Sequence, residues 1–148
     1  MNDHAPDAAL HEGRLSLIYD SYHRLTGKVL IERFDPLAMW YANRAIVAHG
    51  TQADPVFFYG NRMALQCFGM DYEAFVSLPS RLSAEPVAQP LRAALLEQVA
   101  KQGYVDNYSG MRIAKDGRRF MIADGTVWNL VGAAGICHGQ AATFVVQA

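Results

Sequence analysis

A chain of 148 residues and 16.3 kDa has the length of one compact domain, and 51% hydrophobic against 18% charged residues supply the apolar surface for a packed core. Thirteen Lys and Arg against 14 Asp and Glu leave a net charge of −1, which offers no bulk attraction to nucleic acid or an acidic membrane. No run approaches the ~20 consecutive apolar residues of a spanning helix, no signal peptide is visible, and Cys67 and Cys137 fit neither a metal site nor a disulfide framework, so the expectation is a cytoplasmic domain with neither membrane nor nucleic acid as partner.

From Asp7 to Leu25, apolar Leu10, Leu17, Ile18, Tyr22 and Leu25 recur at three- and four-residue steps among charged residues. This predicts an amphipathic helix stopped by Gly27. Its apolar stripe needs a cover, either the chain's own domain or a second copy. Asp35-Pro36 then opens a short, mostly buried helix over 37–42. The β-rich runs Ala45–His49 and Val56–Tyr59 flank a turn-rich linker and read as a hairpin.

Asn61 is a natural N-cap for a helix over Arg62–Phe68 that ends at Gly69, and Asp71 opens a second short one. Ser77 to Pro86 has two prolines, three serines and no period, so it is a loop. Pro90 starts a helix over Leu91–Gln102, expected to turn Leu91, Ala94, Leu95 and Val99 inward. Three strands complete the chain: Tyr104–Ala114, Arg118–Val131 behind the Asp116-Gly117 turn, and Ile136–Val146 behind Gly132–Gly135. The order predicts an α+β fold, an antiparallel sheet of five strands with helices on one face, and divides the chain into a helical lead-in over 1–44 and a sheet domain over 45–148.

Within this order, Phe-Tyr-Gly-Asn61-Arg-x-Ala followed by a small helix closed by Gly resembles the beginning of a PAS domain. The closer resemblance is to the MEKHLA domain, a PAS-related family found at the C-terminus of plant class III homeodomain–leucine zipper proteins and as stand-alone bacterial proteins. The segments that carry it are Asp54-Pro-Val-Phe-Phe-Tyr-Gly-Asn-Arg-x-Ala-Leu65, Leu78-Pro-Ser-Arg-Leu-Ser-Ala-Glu-Pro86, Tyr108-Ser-Gly-Met-Arg-Ile113, Gly117-Arg-Arg-Phe120, Thr126-Val-Trp-Asn-Leu130 and Gly139-Gln-Ala-Ala142. The resemblance implies a PAS-like sheet in the order 2-1-5-4-3, preceded here by the N-terminal helix, and a ligand cavity between sheet and helices. It also implies a role described in general terms as sensing of light, oxygen or redox state. It brings no catalytic residues, and the plant proteins' transcriptional role is not carried over, because this chain shows no DNA-binding or zipper region.

Among polar features, Arg81 stands between the hydroxyls of Ser80 and Ser83 and ahead of Glu85, a set able to clamp a small acidic ligand. The competing arrangement pairs Arg81 with Glu85 and spends the serines on the loop backbone. Phe120, Ile122, Thr126, Trp128 and Leu130 share one strand parity. If that face meets the helices, Phe120, Thr126 and Trp128 line a cavity to which Gln140 adds a polar group, unless Gly125 marks a bulge. Arg81, Ser83, Tyr108, Phe120, Thr126, Trp128 and Gln140 are thus the candidate ligand-binding residues.

No catalytic residue or metal ligand is assigned, because no phosphate loop, dinucleotide fingerprint, zinc-protease or nucleophile-elbow motif is present. The ligand's identity, cofactor or otherwise, stays open. Photochemistry through a cysteinyl–flavin adduct is disfavoured, because the Asn-Cys-Arg-Phe-Leu-Gln motif of flavin photosensors is absent and Cys67 reads as a buried structural thiol. Haem is disfavoured because neither His49 nor His138 lies on the pocket helix that usually carries its ligand. Arg112, Lys115, Arg118 and Arg119 read as a solvated basic surface around a hairpin. The expected function is that of a non-catalytic sensory or interaction domain. It would bind a small organic or acidic ligand, form a homodimer through the N-terminal helix, and signal to an unknown protein partner. A small enzyme using Arg81, Tyr108 or Glu85, or an adaptor with a filled core, is the alternative.

Overall fold

A computed structural model describes residues 4–147; the first three residues of the expected lead-in and the last of the expected sheet domain lie outside them. The five strands are β1 (Ala45–His49), β2 (Phe57–Gly60), β3 (Tyr104–Ile113), β4 (Arg119–Val131) and β5 (Cys137–Val146). They form one antiparallel sheet in the order β2-β1-β5-β4-β3, as the resemblance implies. Helices α1 (Glu12–Thr26), α2 (Pro36–Trp40), α3 (Arg62–Phe68), α4 (Tyr72–Phe75) and α5 (Gln89–Gln102) are joined by 3₁₀ turns at Asp7–Leu10 and Ser80–Ser83. No helix among the described residues is long and apolar enough to cross a membrane.

The helical start at Asp7 gives way to a break at His11, whose Nδ1 accepts from the Arg14 amide and caps α1. The stripe of α1 is Leu15, Ile18 and Tyr22, and it lies on β4 of the chain's own sheet. The Tyr22 ring meets the edge of Trp128 with centroids 4.8 Å apart, and the Ser21 hydroxyl bonds both the amide and the carbonyl of Val131 at 3.1 Å. The lead-in therefore shares one hydrophobic core with the sheet. Met39 and Trp40 of α2 join that core, whereas Leu37 stays about half exposed. Helices α3, α4 and α5 cover the opposite face, so the sheet is sandwiched.

Strand β4 changes faces midway. Asp124 takes φ 50° and the β4–β5 register shifts between Ala123 and Thr126, a bulge held by Arg44, whose Nη2 donates to the Asp124 carbonyl at 2.8 Å. Phe120 and Ile122 consequently face α3 and α5, as do Val127 and Asn129 beyond the bulge. Thr126, Trp128 and Leu130 turn to the side of α1.

Candidate functional site

The space between α5 and the sheet splits the core. A large cluster holds α1 to α4 and most of the sheet, and a small one holds Leu95, Val99 and Val127. Between them lies a cavity of about 50 Å3, walled by Val47, Leu95, Leu96, Ile122, Val127 and Phe144. Its polar groups are His49, Ser83, Arg92, Tyr108, Arg112 and Gln140, with no carboxylate among the described residues.

Three of the residues expected from the sequence, Ser83, Tyr108 and Gln140, meet here. Phe120 lies on the same face, its ring edge-on to Phe68 of the cavity wall at 5.1 Å. The bulge corrects the other two strand positions. Thr126 donates to Asp106 at 2.8 Å, the main reason that carboxyl is held below its ordinary pKa, and Asp106 also pairs with Lys28 just beyond α1. Trp128 packs under Tyr22. Neither reaches the cavity. Arg81 also lies apart: its Nε bonds both oxygens of Asp54, at 3.1 and 3.2 Å, with both side chains half exposed. Glu85 pairs instead with Arg119, through two bonds of which the longer is 3.0 Å. Ser83 donates to the Ser80 carbonyl at 2.7 Å.

Two cavity residues went unnoticed in the sequence because apolar periodicity points away from them. On α5 the buried positions are Arg92, Leu95 and Val99, whereas Leu91 and Ala94 are exposed. The helix is turned so that an arginine replaces the expected leucine at the start of the inward stripe. Arg112, assigned to the basic surface, is 8% exposed. Its Nη1 donates to the Met111 carbonyl at 2.8 Å and its Nη2 to the Tyr108 hydroxyl at 3.3 Å. Burial first, then the like charge of Arg112, lowers the pKa of Arg92 to about 10. Arg118 and Arg119 are spent on the Cys67 carbonyl and Glu85.

A polar chain crosses the cavity floor. Gln140 commits its amide nitrogen to the Leu96 carbonyl at 3.0 Å and Asn129 Oδ1 at 3.2 Å, so its Oε1 accepts from His49 Nε2–H at 3.2 Å. That fixes the tautomer and leaves Nδ1 to accept the Ser80 hydroxyl at 2.8 Å. Asn129 donates onward to the Val99 carbonyl at 3.0 Å, reaching α5. Burial, and then the charge of Arg92, lower the pKa of His49 to about 4. Unfolded His49 takes up its proton near pH 6.5 and folded His49 only near pH 4. Its contribution to stability is therefore present above about pH 6.5 and is lost as pH falls toward 4, up to on the order of 3 kcal/mol. Urea titrations at pH 7 and pH 4.5 are expected to show this loss in the native chain and a smaller one in His49→Gln.

These side chains do not fit a haem or a flavin adduct. Both ring nitrogens of His49 are engaged and His138 is exposed. The Cys67 thiol is outside the cavity wall, its pKa raised by burial. A cavity of about 50 Å3 is also far below the ~300–1,000 Å3 of pockets that enclose larger ligands. No group of three potential metal ligands occurs among the described residues.

Among solved structures, the chain is similar to the PAS domain of a protein from Colwellia psychrerythraea, with TM-score 0.66 and 18% identity over 75% of this chain and 92% of that one. It is also similar to a light-oxygen-voltage domain studied with a flavin analogue, with TM-score 0.64 and 15% identity over 76% and 84%. The dark structure of the light-oxygen-voltage domain of the blue-light photoreceptor Aureochrome1 gives TM-score 0.61 and 16% identity over 82% and 89%. These identities speak for the fold alone. No curated protein sequence matches. The family described as MEKHLA domain matches residues 13–147, a span that starts inside α1 and takes in every strand and the whole cavity wall. A sheet in PAS order, its helical cover and a match of that length make this chain a member of the MEKHLA domain family.

Proposed function

We propose that the chain is a sensory domain that holds a small ligand between α5 and the sheet and passes the signal on through protein association. The observation behind this reading is the position of β4. Val127 and Asn129 face the cavity side while Trp128 and Leu130, between and beside them, support α1. A ligand that favours one setting of α5 against β4 acts on a strand that α1 also grips. It shifts a population only as far as its affinities for the two settings differ.

The stripe of α1 is covered within the chain, so a second copy or another partner would meet other surface. The exposed apolar side chains of Leu91 and Met111, which line one groove between α5 and β3, offer such a surface. The small cavity is the observation that favours the filled-core adaptor instead.

Native mass spectrometry and light scattering separate the two. Protein purified without denaturation is expected to exceed 16.3 kDa per chain by a small retained ligand. Leu95→Trp, which fills the cavity, is expected to lose that excess, and the native protein to be dimeric at tens of micromolar. A bare, monomeric chain that Leu95→Trp leaves unchanged would establish the adaptor.

A further inference from the structure

Arg92 is 9% exposed, its guanidinium nitrogens keep a small accessible surface, and no described residue accepts a hydrogen bond or ion pair from them. Buried guanidinium groups are ordinarily matched by carboxylates, because an ion removed from water without a partner is destabilising. Here the charge that acts on it most strongly is a second arginine, Arg112. Each fork carries five N–H donors, and within the protein Arg112 spends two of its own. The backbone makes room for this arrangement at Gly110, where a Cβ would stand 2.4 Å from the Tyr108 hydroxyl and 3.2 Å from Arg112 Nη1. Two positive forks thus line one cavity, one from a helix and one from the sheet.

Resting on the ligand-binding reading above, we propose that the cavity is a site for a small carboxylate with a short apolar body, clamped between Arg92 of α5 and Arg112 of β3. The guanidinium forks match a carboxylate's two oxygens. The surrounding Val47, Leu96, Ile122 and Phe144 suit a few carbon atoms rather than a bare oxyanion, and the cavity volume sets a small upper size. Because the forks sit on separate elements, the anion replaces repulsion between α5 and β3 by a bridge and draws the helix onto the sheet. Arg81 takes no part, since Asp54 already neutralises it at the surface.

The test follows thermal unfolding of the full chain at constant ionic strength, with butanoate, butanamide and phosphate as probes. Butanoate is expected to raise Tm saturably, and butanamide and phosphate much less. Arg92→Gln and Arg112→Gln are each expected to weaken the butanoate effect at least ~10-fold, and Arg81→Gln to change it less than twofold. Arg92→Met, which removes the unpaired charge while keeping volume, is expected to raise the ligand-free Tm by ~2 °C or more. Butanamide acting as strongly as butanoate would overturn the carboxylate assignment and leave the cavity reading in place. Phosphate acting more strongly would replace the carboxylate by an inorganic oxyanion, and a butanoate effect that survives Arg92→Gln would move the anion elsewhere. No response to any probe, together with a lowered Tm in Arg92→Met, would make Arg92 structural and overturn the carboxylate site, while the retained mass in native spectra separately decides the ligand-binding reading.

Discussion

Replacing Asn61 by alanine is expected to destabilise the fold by on the order of 3–5 kcal/mol, lowering Tm by roughly 10 °C. The side chain is fully buried and all its bonding capacity is used. Its Oδ1 accepts from the Ala64 amide at 3.1 Å, the N-cap bond of α3, and from the Ile46 amide of β1 at 2.9 Å. Its Nδ2 donates to the carbonyls of Met39 at 3.1 Å and Arg44 at 2.8 Å. One amide thus joins the end of α2, the start of β1 and the start of α3. Alanine removes the cap, worth about 1 kcal/mol, and leaves further backbone groups of the interior without partners, each costing ~1–3 kcal/mol. Asn61→Asp separates the two halves of this role. It keeps both acceptor bonds and loses both donor bonds, placing a carboxylate against two carbonyl oxygens. It is expected to be no more stable than the alanine variant, and chemical denaturation of the three proteins checks the order. A loss near 1 kcal/mol in Asn61→Ala would reduce the residue to an ordinary cap.

Asn61 also marks where sequence reasoning succeeds. Its N-cap role is local, set by a polar residue between a strand and a helix, and is visible in the string of residues. Its three other bonds reach residues 15 to 22 positions away, which no local pattern encodes. The strands and helices were legible for the same reason as the cap: alternation, caps, prolines and Asp-Gly turns are near-neighbour signals, and the ordered MEKHLA segments supplied the sheet order. The candidate site was legible only in part. Ser83, Tyr108 and Gln140 reach the cavity, but the parity argument for Thr126 and Trp128 failed at one residue, Asp124, whose left-handed backbone reverses the faces of everything after it. Gly125 hinted at the bulge without fixing its register. Arg92 was hidden differently, since hydrophobic periodicity assigns an arginine to solvent, and the rotation of α5 depends on how the helix packs against β3 and β4, which no pattern within the helix encodes. A site that buries charge contradicts the very pattern by which helices are read.

Gly139→Ala is expected to be as damaging as Asn61→Ala and to reach the candidate site directly. Gly139 takes φ 138°, outside the range of ordinary L-residues, and a Cβ there would stand 2.0 Å from the His49 carbonyl oxygen. The obstacle is backbone of the neighbouring strand, so no side-chain rotation relieves it. Backbone strain of ~1–3 kcal/mol adds to the separation of β5 from β1, for a loss of roughly 3–5 kcal/mol. The displaced pair is His49 opposite Gln140, whose hydrogen bond carries the polar chain from the Ser80 turn to α5. Any variant that still folds therefore opens His49 to water, and its pKa is expected to rise from about 4 toward the ordinary 6.5, as NMR titration of the imidazole measures. Stability and site chemistry move together in this variant because one glycine lets two strands approach where the histidine is held. A folded Gly139→Ala whose His49 still titrates near pH 4 would show that the polar chain survives without that close approach.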